Sequence, residues 1–121
     1  MKNTIYYIDT TAVKGGRIPL CFNLNVMEEI QEVYGSIEKW GNAVSTDAKD
    51  GLIVKDFKAG LLAMINEAID MENMKNEEQM KQITSKELGR IVTEVGFEKI
   101  VKIIQEITVK STKTGDEPKN E

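Results

Sequence analysis

Apolar residues are spaced first as in strands and then, from about residue 24 onward, as in helices. Residues 4–8, TIYYI, are β-branched and aromatic, which suits a pleated, half-buried surface and predicts a strand. Gly15 and Gly16 supply the positive φ of a turn, and residues 17–22 return as a second strand. Pro19 has no N–H to donate and predicts an edge position. The expectation is an N-terminal hairpin over about 4–22.

The period then changes. Over 24–34, Val26, Met27, Ile30, Val33 and Tyr34 share one helical face, and Glu28, Glu29, Gln31 and Glu32 share the other. Asn23 or Asn25 is expected to cap this helix, and Asn25 with Glu28 has capping-box spacing. Gly35 is a natural stop. Ser36 then caps a short helix, IEKWGNAV, and STDAKDG reads as a loop. The longest helix is predicted over about 57–75, capped by Asp56. Its stripe of Phe57, Leu61, Leu62, Met64, Ile65, Ala68, Ile69 and Met71 covers about half the circumference and marks it as the spine of the domain. MENMKNEEQMK is polar and predicts the helix end and a loop. Thr84 and Glu87 form a second capping box. The helix over 85–95 turns Leu88, Ile91, Val92 and Val95 inward and ends at Gly96. The last helix, about 97–110, buries Phe97, Ile100, Val101, Ile103, Ile104 and Ile107. The fold class is α+β and mostly helical: a hairpin and about five helices in one domain, 1–111. A disordered tail is expected over 112–121, where apolar residues are absent.

Composition narrows the function. A chain of 121 residues suits one domain with a single core. The net charge of −4 argues against a nucleic-acid partner, which calls for a basic patch. One cysteine cannot close an internal disulfide, and no apolar run approaches the roughly 20 residues that span a bilayer. The N-terminus does not read as a secretory signal, so a cytoplasmic protein with no membrane partner is expected. The chain contains no histidine, the commonest general base and transition-metal ligand.

Candidate chemistry is sparse. Cys21 as a nucleophile would need a base beside it, but it stands between Leu20 and Phe22; a buried, inert cysteine is the favoured reading. Glu28, Glu29 and Glu32 read as a solvated face rather than metal ligands, and Asp47 with Asp50 is too sparse for a metal loop. VKGGR lacks phosphate-loop spacing. No catalytic residue, metal or cofactor is expected. The helix pair at 85–110 has the outline of a helix-turn-helix, which makes a small DNA-binding regulator the alternative. The N-terminal end of its second helix offers Glu98, Lys99 and Lys102, and Glu98 would repel phosphates. Met74 falls off the spine's apolar stripe and Met80 lies beyond it; exposed methionine adapts to varied apolar partners. Trp40 is a candidate anchor. Burial is the favoured reading for each of the three; together they are the best hint of a binding surface. Trp40, Met74 and Met80 are the candidate partner-binding residues, and the hairpin's edges invite self-association.

One stretch carries a wider likeness. IPLCFNLNVMEEIQEVYGSIEKWGNAV joins a hairpin to F-N-L-N and an acidic helix ending Y-G-S. FKAGLLAMINEAID, then T-x-K-E-L-G-R-I-V, then FEKIVKIIQEI follow in order. Over about 4–110 this resembles the small tail assembly chaperones of long non-contractile-tailed phages, carried by prophages of Gram-positive bacteria. Relatives often carry a tryptophan where this chain reads LLAMINE. The resemblance implies a non-enzymatic protein in the host cytoplasm, absent from the finished virion. Its implied gene lies between those for the tail tube and tape-measure proteins, and a programmed frameshift often yields a longer form. Its implied partners are the tape-measure protein, which it keeps soluble, and the tail tube protein, whose polymerisation it assists.

Overall fold

The computed structural model describes residues 3–44 and 54–112. In chain order come β1 (Tyr6–Asp9), β2 (Arg17–Leu20), α1 (Leu24–Tyr34), α2 (Ile37–Ala43), α3 (Val54–Asn73), α4 (Ser85–Val95) and α5 (Phe97–Thr112). This is the mostly helical α+β arrangement that the spacing predicts. The expected 45–51 loop and the 113–121 part of the expected tail lie outside the described residues.

The strands pair antiparallel, with Tyr6 opposite Leu20, Tyr7 opposite Pro19, Ile8 opposite Ile18 and Asp9 opposite Arg17. Gly15 and Gly16 take φ of 98° and 80°, backbone that favours glycine, and the Thr10 N–H closes the loop on the Gly16 carbonyl at 3.0 Å. Because the sheet has two strands, each has a free edge, and Pro19 is accommodated. Ile18, Pro19 and Leu20 are all buried, unlike the alternating strand of a half-exposed sheet. Past the end of β2 the Cys21 N–H donates to the Met64 carbonyl of α3 at 3.2 Å, which ties the hairpin to the central helix.

Asn23 caps α1, its side chain accepting from the Val26 N–H. Asn25 does not: it lies inside the helix, and its Nδ2 donates to Glu67 Oε2 at 3.0 Å. Val26 and Ile30 are buried as expected, but Val33 is 65% exposed. Val33 stands in the last turn, where Tyr34 takes the inward position and its hydroxyl reaches the Asp56 carbonyl at 3.1 Å. Gly35 ends the helix at φ 88° and Ser36 caps α2.

The spine begins at Val54, so Asp56 lies in its first turn and is not its cap. Phe57, Leu61, Met64, Ile65, Ala68 and Ile69 are buried, while Leu62 and Met71 are half-buried. Thr84 and Glu87 make both bonds of the predicted capping box. Gly96 alone separates α4 from α5. Ile100, Val101, Ile104 and Ile107 complete the core; Phe97 is 37% exposed and lays its ring 4.9 Å from Phe57.

Candidate partner-binding site

Trp40 does not occupy the surface role considered for it. It is 1% exposed, its Nε1 donates to the Asp56 carbonyl at 3.0 Å, and its ring lies on Gly60 of α3. A Cβ at Gly60 would stand 2.1 Å from Trp40 Cζ2. A spacing read on one helix at a time cannot reveal this: the indole needs a bare backbone on a different helix to lie flat. Tyr34 and Trp40 thus donate to one carbonyl and pin α1, α2 and the start of α3 together. Burial, then Asp56, pushes the Tyr34 hydroxyl up to about 12.

Met74 and Met80 are exposed, at 87% and 39%, on the connection between α3 and α4. That connection is held in place from α3. The Met80 N–H donates to Asn73 Oδ1 at 2.9 Å, and Asn73 Nδ2 donates back to the Met80 carbonyl at 2.9 Å. Asn66 does the same for Ile83, at 2.9 and 3.2 Å. Between them Gln82 Nε2 donates to both Asp70 oxygens at 3.1 Å. Asn66, Asp70 and Asn73 follow i, i+4, i+7 spacing and lie on one helix face, so residues 80–83 run back along α3 as an irregular but fixed segment. A primary amide can serve one residue's N–H and C=O together, and this polar stripe beside an apolar one was the signal in the sequence.

Met80 also borders a groove of about 730 Å³ between the hairpin loop and this connection. Val13, Ile18 and Ile83 line it with Met80, and Lys14, Glu87 and Arg90 are among its charged residues. The hairpin side of the groove is held by Glu94, which accepts from the Thr10 hydroxyl and from the Thr11 N–H, the latter at 3.0 Å. Thr10 is 4% exposed, and its bond is the leading cause that holds the Glu94 carboxyl below the usual carboxylate range.

The remaining candidates are placed as follows. Cys21 is fully buried, and desolvation, with a smaller contribution from Glu67, raises its thiol from an ordinary 9.0 to about 12, so thiolate is scarce at neutral pH. Its Sγ lies 3.9 Å from Met71 Sδ. Asn23, beside it, donates to Glu67 and Asn3. Glu28, Glu29 and Glu32 face solvent. Asp47 and Asp50 lie outside the described residues. Among the described residues no group of three His, Cys, Asp or Glu stands close enough to hold a metal, and no helix is long and apolar enough to cross a membrane. Glu98, Lys99 and Lys102 are exposed on α5.

No protein-family model matches the chain, and no curated protein or solved structure matches it either.

Proposed function

We propose that this protein is a non-enzymatic phage tail assembly chaperone that binds the tape-measure protein in the host cytoplasm and assists tail tube assembly. The observation that carries the reading is the pair of exposed methionines on a connection held by asparagines, Met80 at the rim of the groove. A chaperone for a long helical chain must accept many different apolar faces. Unbranched thioethers re-pack to suit each, and a backbone already held in place lowers the entropy lost on binding. One turn of helix, about 10 Å wide and 5.4 Å in pitch, fills about 400 Å³. The groove therefore takes under two turns and grips a helix by anchor side chains rather than enclosing it. Met74 and Met80 are the residues assigned to this contact; Trp40, buried on Gly60, is not part of it.

The test is co-purification of the full chain with a helical tape-measure fragment. A stable complex is expected, lost in a Met74→Glu/Met80→Glu variant whose thermal unfolding matches the parent within about 0.5 kcal/mol per surface substitution. Absence of a complex with the parent, or a complex indifferent to both substitutions, refutes the assignment. Binding of duplex DNA that weakens steeply with salt would instead favour the regulator reading of 85–110.

A further inference from the structure

Arg90 borders a second, shallower concavity of about 660 Å³, lined by Lys58, Lys86, Gly89, Arg90, Thr93 and Glu94. Lys86, Gly89, Arg90 and Thr93 recur at i, i+3, i+4 and i+7 and so share one face of α4. Lys58 reaches over from α3. Its Nζ lies 3.3 Å from where a Cβ on Gly89 would stand, so the missing side chain makes room for the ammonium. Lys58 is the one lysine of intermediate exposure among the described residues; the others are exposed. Its stem is partly laid down on protein while its charge stays at the surface over Gly89.

The carboxylates nearby are hydrogen-bonded elsewhere, although the Arg90 charge also acts on Glu87. Glu94 is bound to Thr10 and Thr11, and Glu87 accepts the Thr84 N–H at 2.8 Å. Three cations therefore converge on one concavity of a chain whose net charge is −4, and no carboxylate among the described residues forms an ion pair with them.

We propose that this concavity docks an acidic peptide segment, its carboxylates held by Lys58, Lys86 and Arg90. The guanidinium of Arg90 takes a carboxylate through two parallel N–H donors, and the two ammoniums act as point charges beside it. The local charge suits a peptide better than nucleic acid. A duplex presents a phosphate charge every ~1.7 Å along a continuous track. Here the cations occupy one small bowl with Glu94 on its rim, and Glu28, Glu29 and Glu32 stand exposed elsewhere on the surface. The bowl shares Arg90 with the methionine groove, but Lys58 and Lys86 line the bowl and not the groove, so Lys58→Gln tests the one without touching the other.

The test uses the full chain and fluorescein-labelled hexaglutamate in an anisotropy titration at low salt. Saturable binding is expected, weakening as salt rises. Lys58→Gln and Arg90→Gln keep the apolar stems and remove the charges, and each is expected to weaken binding about five- to tenfold. Lys39→Gln, on α2, is expected to leave it unchanged. Amide chemical shifts in the unmodified protein give a readout that needs no variant: hexaglutamate is expected to move Gly89, Arg90 and Thr93. Three results overturn the proposal: no binding, binding untouched by Lys58→Gln and Arg90→Gln, or tighter binding of labelled duplex DNA lost with the same substitutions.

Discussion

Gly60→Ala adds one methyl group where Trp40 already lies. The new Cβ would be 2.1 Å from Cζ2, 2.2 Å from Cε2 and 2.5 Å from Nε1 of Trp40, far inside van der Waals contact. The indole must move, and overpacking of this kind costs about 1–3 kcal/mol. Movement also takes Nε1 away from the Asp56 carbonyl, 3.0 Å distant, and stranding a buried donor costs about 1–3 kcal/mol more. Alanine's better helix propensity offsets about 1 kcal/mol. The expected net destabilisation is about 1–5 kcal/mol, despite a substitution that would stabilise an exposed helix. Urea unfolding, followed by far-ultraviolet circular dichroism, is expected to show a lower midpoint at unchanged slope. The chain's one tryptophan gives a second readout, since its emission shifts if the indole leaves its seat. Trp40→Phe removes the clashing edge, so the double substitution is expected to cost less than the sum of the two. A Gly60→Ala protein as stable as the parent, with unchanged emission, would refute the packing argument.

Cys21 is expected to resist thiol reagents at pH 8 in the native protein and to react at once in denaturant; native reaction at the rate of a free thiol refutes its burial. Because folding raises both the Cys21 thiol and the Tyr34 hydroxyl to about 12, the native state holds protons that the unfolded state gives up sooner. Their contribution is fully present below the unfolded values of 9.0 and 10.0 and is lost as pH rises toward about 12, so stability is expected to fall across that window, less so in Cys21→Ala. Thr84→Ala removes the cap of α4 and is expected to cost about 1 kcal/mol in thermal or urea unfolding, with Thr84→Ser close to neutral. Asn66→Ala leaves the Ile83 N–H and carbonyl without their amide partner. It is expected to cost about 1–3 kcal/mol and to speed amide exchange at Ile83 ahead of global unfolding.

Local order was legible in the residues because its causes are local. β-Branched and aromatic residues mark the first strand, helical spacing marks the amphipathic faces, and Asn23, Gly35, Ser36, Thr84 and Gly96 mark the ends of helices. Each signal acts over four residues or fewer, so α1 and α4 have the bounds that spacing predicts. The inert reading of Cys21 also followed from its apolar neighbours. Tertiary packing decided what depends on two elements at once. Burial was the favoured reading of Trp40, but its seat on Gly60, twenty positions away on another helix, was not legible. Val33 repeats the spacing of Val26 yet faces water, because the inward position of the last turn belongs to Tyr34. Asn66, Asp70 and Asn73 drew no reading from spacing on their own helix, but they hold residues 80–83 and so fix Met80 beside the groove. Lys58 and Arg90 become neighbours only because α3 and α4 pack together. Backbone periodicity places a side chain on a face, but what that face meets depends on chain that folds back from elsewhere.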